Sequence, residues 1–288
     1  MPGSQDLRRR IKSISGTRKV TRAMQLVSAS KMRRSQLALQ ASKRYTELLV
    51  ELSSKVGDLR HPLLAPYPRA EKIAVLVVST NRGLVGSFNT NLMRLAGRLA
   101  QEFPGTKIDF ITLGRKGKET LLRQQQHIIA DFPKADTEMS SETLYPLARL
   151  VTDTYRSGQY RAMYVVYNHF ISTLRQEPEK TILFPITLAP ITSGGQDKPF
   201  AGTYTFEPNP TQVADSLIPR LIETKLLLSW LESDASEHSA RMLMMKNATD
   251  AAGDLIADLT LTLNQLRQNK ITTELSEITA GKIALEKR

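Results

Sequence analysis

The chain has no cysteine among its 288 residues. That excludes a disulfide framework, a thiolate metal site and a cysteine nucleophile. Its four histidines, His61, His127, His169 and His238, are scattered and form no HExxH-like pair, so the residues do not point to a zinc enzyme. No run of about 18 apolar residues occurs, so no bilayer-spanning helix is expected. No Ser/His/Asp set or paired carboxylates stand at a recognisable spacing, which leaves acyl transfer and acid–base catalysis without candidates. Proline is missing between residues 4 and 56 and again after Pro219. Two long stretches therefore carry no helix breaker.

Positive charge is what the chain has in excess. The formal net charge is +12. Residues 1–44 hold twelve Lys and Arg against one acid, Asp6, for a net +11. Such a block admits four readings: a nucleic-acid arm, a mitochondrial transit peptide, a helix set among acidic protein surfaces, or a solvated helix face. No apolar run of 7–15 residues follows it, so a secretory signal is not expected. With 41% hydrophobic residues the rest can bury a sizeable core.

Along residues 4–56 apolar side chains recur at Leu7, Ile11 and Ile14, then Val20, Met24 and Val27, then Leu37, Ala41, Tyr45, Leu48, Leu52 and Val56. Steps of three and four predict one helix, with Gly57 as its stop. At 1.5 Å per residue it is about 75–80 Å long and needs a partner along its apolar seam. The middle of the chain alternates. Strands are expected at 72–79, 107–113, 127–132 and 162–167, with helices at 89–103, 116–126 and 142–156. This order predicts a largely parallel sheet covered by helices. Residues 170–186 read as a fifth strand or an edge hairpin, and 189–202 as a loop. From Asn209-Pro210 onward helical spacing returns through Leu221, Leu228, Leu231, Ala235, Met242, Met245, Ala252, Leu259, Leu263 and Leu266. A helix of about 75 residues is roughly 110 Å long.

The fold class expected is α/β: a long antiparallel two-helix coiled coil from the terminal helices, plus a central Rossmann-like domain. The divisions are 1–58, 70–205 and 208–288, with 208–288 paired to 1–58. The C-terminal helix is the longer by some 20–25 residues, so its end must project past the start of its partner or find another. A single helix in water frays, so the helix-forming stretch 267–281 implies a surrounding protein. Gly83-Leu-Val-Gly86, between a strand and a helix, is the one phosphate-loop candidate. It lacks the third glycine of GxGxxG and the Lys-Ser/Thr of a P-loop, and the competing reading is a tight turn. It supports an alternative function, a nucleotide-binding α/β protein with a coiled-coil arm. His238 and Met242, Met244 and Met245 read as helix packing.

These residues carry a resemblance. Leu7-Arg-Arg-Arg-Ile-Lys-Ser-Ile, Val20-Thr-Arg-Ala-Met-Gln-Leu-Val-Ser-Ala-Ser-Lys-Met-Arg33, Ser79-Thr-Asn-Arg-Gly-Leu-Val-Gly86 and Ile271-Thr-Thr-Glu-Leu-Ser-Glu-Ile-Thr-Ala-Gly281 resemble the γ subunit of bacterial F-type rotary ATP synthases over nearly the full length. Asn81 and Lys282 stand where Asp and Ala are usual. The resemblance implies a rotor with no catalytic residues, cofactor or metal. Its partners would be the α and β subunits of the catalytic ring, the ε subunit and the c-ring, with no nucleic acid. It would sit on the cytoplasmic side of the cell inner membrane, touching the membrane only through the complex. Carried over, Arg267, Gln268, Thr272 and Glu274 would meet β at the tip. Met24 and Lys31 would face β along the N-terminal helix, and Tyr204, Phe206 and Glu207 would meet the c-ring. The basic block would then face acidic loops of β, which weakens the transit-peptide and nucleic-acid readings.

Overall fold

A computed structural model describes residues 4–55, 61–134, 141–186, 206–207 and 209–286. The expected loop at 189–202, Gly57 and Tyr204 lie outside them. The chain forms two compact units, one of residues 1–28 with 242–288 and one of residues 29–241. Two helices contribute to both: α1 (Ser4–Lys55) and, last in the chain, α5 (Pro210–Glu286).

The unit of residues 29–241 is built on a five-stranded sheet. Its strands are β1 (Lys72–Val78), β2 (Lys107–Leu113), β3 (Ile128–Phe132), β4 (Tyr160–Phe170) and β5 (Gln176–Phe184), in the spatial order β3-β2-β1-β4-β5. The first three pairings are parallel and β5 pairs antiparallel with β4, so residues 170–186 take the fifth-strand reading, at the sheet edge. Strand β1 is central because both faces are covered: an unbroken β-branched run suits a strand with no solvent face. Ile73, Val75 and Val77 pack on Leu92, Ala96 and Leu99 of α2 (Phe88–Glu102) and Leu121 of α3 (Arg115–Arg123). Ala74, Leu76 and Val78 point the other way, into a cluster with Leu147, Val151 and Tyr155 of α4 (Ser141–Arg156) and Leu226 and Trp230 of α5. Leu49 and Val50 of α1 belong to the same cluster. Burying each Val, Leu and Ile of these clusters contributes about 1.5–3 kcal/mol.

One glycine is dictated by space. Gly114, between β2 and α3, has φ +102, and a Cβ there would lie 2.4 Å from the carbonyl oxygen of Ser79. Only glycine lets that turn close against the end of β1.

In the unit of residues 1–28 and 242–288, α1 and α5 run antiparallel. Thr21 lies opposite Thr249, their hydroxyls 2.8 Å apart, and Arg18 lies opposite Gly253. No described helix is long and apolar enough to cross a membrane.

Candidate functional site

The nucleotide reading is tested at the carboxyl ends of the strands. In open parallel sheets ligands enter the crevice where the strand order reverses, here between β1 and β4. In this chain α5 fills that crevice. Ser233 donates to the carbonyl of Val78 at 3.3 Å, and Ser236 to that of Asn168 at 3.1 Å. Ser239 donates to Thr173 at 2.7 Å. The loop after β1 folds onto the same helix through Val85, Phe88 and Ala240. Leu84 and Gly86 have φ near +60°, the mark of a tight turn, whereas a Cβ on Gly83 would meet nothing within 4 Å. The loop is a turn that docks on α5, and of its two glycines Gly86 alone is called for by its φ.

The helix pair departs from expectation. The apolar positions read as the seam of α1 are mostly outside it. Val20 and Val27 are 59% and 58% exposed, while Thr21 and Ser28, one residue on, are 9% and 3% exposed. Leu37, Tyr45, Leu48 and Leu52 are exposed as well. The facing line recurs every seven residues as Thr21, Ser28, Ser35 and Ser42, between Leu7 and Ile14 before and Leu49 after. In the unit of residues 29–241, Ser35 donates to Asp234 Oδ2 at 2.6 Å. Small hydroxyl side chains allow close helix approach, and their own hydrogen bonds offset the burial. On α5 half of the expected stripe is buried, at Leu221, Leu231, Ala235, Met245 and Ala252, and Leu228, Met242, Leu259, Leu263 and Leu266 are half-buried.

Met24 and Lys31, seven residues apart on α1, are both half-buried beside this line. Beyond Leu266 the second helix changes character: every residue of 267–280 is exposed. Arg267, Gln268, Thr272 and Glu274 all lie there. Arg267 and Glu274 share one face and Gln268 and Thr272 the next. Thr272 donates to the carbonyl of Gln268 at 3.0 Å, and Lys270 pairs with Glu274 at 3.6 Å. Phe206 is half-buried against the core of the sheet unit, and Glu207 is exposed.

Sequence reasoning missed a buried charge cluster in the unit of residues 29–241. Lys134, just after β3, pairs with Asp234 at 3.1 Å and Glu237 at 2.5 Å, and lies 5.2 Å from the Trp230 ring. Arg241 donates to Glu237 at 2.8 Å. Burial alone would raise both carboxyls, yet the Lys134 ammonium beside them holds both below the ordinary range. The same carboxylates keep Lys134 raised against the opposing effect of burial. Burial pushes His238 down, against the pull of Asp234 and Glu237. The legible signal was Trp230, Asp234, Glu237 and Arg241 at steps of four, three and four, one line along a helix.

A family model described as ATP synthase matches residues 3–285. The ATP synthase gamma chain of Herpetosiphon aurantiacus is 39% identical over 298 residues, covering 99% of each chain. That of Legionella pneumophila strain Corby is 35% identical over 294 residues, covering 99% of this chain and all of the other. Among solved structures, a chain of the Euglena gracilis mitochondrial ATP synthase OSCP/F1/c-ring assembly is similar in fold. It has a TM-score of 0.69 at 19% identity and covers 98% of this chain and 94% of its own. A chain of the Tetrahymena thermophila mitochondrial central stalk/c-ring has a TM-score of 0.60 at 20% identity. It covers 80% of this chain and 99% of its own.

Proposed function

The chain belongs to the ATP synthase gamma-chain family, and from that premise we propose that it is the non-catalytic shaft of the complex. Residues 1–58 and 208–288 form the axle and residues 70–205 the head. The axle turns inside a ring of α and β subunits, and the head sits on the c-ring beside ε. The chain is then peripheral, held at the cytoplasmic face of the inner membrane by its partners alone.

The observation that carries this reading is the bare helix of residues 267–280. Leu275 and Ile278 are 59% and 70% exposed there. A lone helix of this kind is marginal in water, and a sleeve of other subunits supplies the missing contacts. Arg267, Gln268, Thr272 and Glu274 then meet β at the tip, and Met24 and Lys31 meet β along α1. Tyr204, Phe206 and Glu207 meet the c-ring, with Phe206 contributing through its partly exposed edge.

Coupling needs no chemistry on this chain. Each angle of the axle offers each catalytic subunit a different contact surface. Driving a subunit from 1:99 to 99:1 between open and closed forms takes a differential of about 5.5 kcal/mol. At about 25 cal/mol per Å² that is on the order of 220 Å² of apolar surface gained in one form only. The exposed side chains Val20, Val27, Leu275 and Ile278 are the kind that supply it.

Co-purification tests the reading. A tagged chain is expected to bring down two larger subunits in equal amounts with ATPase activity, while the isolated chain binds no nucleotide. A tagged chain that comes down alone, or that titrates with nucleotide by itself, overturns it.

A further inference from the structure

The geometry points to Lys134, Asp234, Glu237 and Arg241 as a register lock that fixes the rotation of α5 about its own axis against the sheet. In the proposed shaft this lock bears the torque, so the inference rests on the rotor reading.

The packing of α5 on the strand ends gives the reason. Over residues 233–240 the side chains of α5 that reach the strand ends are small: Ser233, Ser236, Ser239 and Ala240 are all buried, while the larger Leu226 and Trp230 pack into the sheet core earlier along the helix. In that stretch small side chains let the helix lie close but offer few knobs of their own to resist turning or sliding. Directional contacts there complete the register that the larger side chains begin to set. The serine hydroxyls supply part of this through the carbonyls of Val78, Asn168 and Thr173. The charges supply the rest, reaching three different elements. Lys134 brings the segment after β3, and its carbonyl is held at 2.6 Å by the side-chain amide of Asn81, from the loop after β1. Arg241 points to the carbonyls of Arg82 and Gly83 in that same loop, 3.5 Å from each. Asp234 accepts from Ser35 of α1. Turning α5 by one residue, about 100°, would withdraw all of these contacts at once.

The cluster balances two cations against two carboxylates. A buried, balanced ion cluster adds little net stability over apolar groups of the same volume, and its best-attested use is to select one register. Replacing it should therefore cost function more than folding.

The test uses the assembled complex. Lys134→Met with Glu237→Gln removes one charge of each sign and keeps the net charge; Asp234 retains the Ser35 hydroxyl, and the new amide oxygen at 237 can still accept from Arg241. In inverted vesicles, the ratio of protons pumped to ATP hydrolysed is expected to fall about twofold or more, with hydrolysis itself retained. A Leu147→Ala complex, loosened on α4 away from the cluster, is the control for general loss of stability and should keep the parental ratio. An unchanged ratio in the double variant overturns the lock. So does an equal fall in the Leu147→Ala complex. If the double variant does not fold, Asn81→Ala, which frees the carbonyl of Lys134 and the exposed backbone N–H of Arg115 but leaves all four charges in place, carries the test. It is expected to lower the ratio by about a third, and a parental ratio there also overturns the lock. A parental complex that hydrolyses ATP without pumping would instead strike at the rotor reading itself.

Discussion

Strand β1 and helix α1 bury opposite kinds of side chain. In β1 the buried residues are the apolar ones, Ile73 to Val78 on both faces. In α1 the line facing its partner helix is Thr21, Ser28 and Ser35, and the valines beside it point outward. The sheet hides its hydrophobic surface inside the chain. Helix α1 keeps its inner line small and polar and leaves much of its own apolar surface exposed, although α5 buries Leu231, Ala235, Met245 and Ala252. Single exposed apolar residues are ordinary on any folded protein, but many of them along one long helix are what the proposed shaft, enclosed by other subunits, calls for.

Three substitutions sharpen or break that contrast, in descending order of expected effect. Leu76→Ala, in the middle of β1, should cost the isolated chain about 2–5 kcal/mol through a cavity in the core, read by thermal or denaturant unfolding. Ser35→Leu should also destabilise the isolated chain, by about 1–3 kcal/mol, although it adds hydrophobic surface. It crowds the helix contact and strips Asp234 of a hydrogen bond. A gain in stability would show that the hydroxyl line is not close-packed. Val20→Ser with Val27→Ser should stay within about 0.5 kcal/mol of the parent in the isolated chain, as surface changes do. The same pair should weaken retention of the larger subunits on a tagged chain. A large loss in the isolated chain would place those valines inside, and the contrast would fail.

Much of the fold was legible because period and punctuation carry it. An unbroken apolar run rich in β-branched residues marked β1, and a shorter apolar stretch interrupted by Asp109 marked β2. Two proline-free stretches marked the long helices, and the alternation between them implied a parallel sheet. The strand order was not legible, since no local pattern says which side of β1 receives β4. The seam of α1 was misread for a definite reason: counting apolar steps assumes that hydrophobic means inside, and here the seven-residue spacing of Thr21, Ser28, Ser35 and Ser42 was the true signal. Arg267, Gln268, Thr272 and Glu274 fall on the exposed helix of residues 267–280, and their role as contacts rests on the proposed reading. Lys134 was invisible, because one lysine in a loop looks the same whether water or two carboxylates surround it.

In the proposed shaft the outward-facing valines and leucines carry a cost in the cell. A copy made in excess of its partners has only another orphan, or a chaperone, against which to lay them. On that reading dosage matters for this chain, and its translation is expected to keep pace with that of the subunits that enclose it.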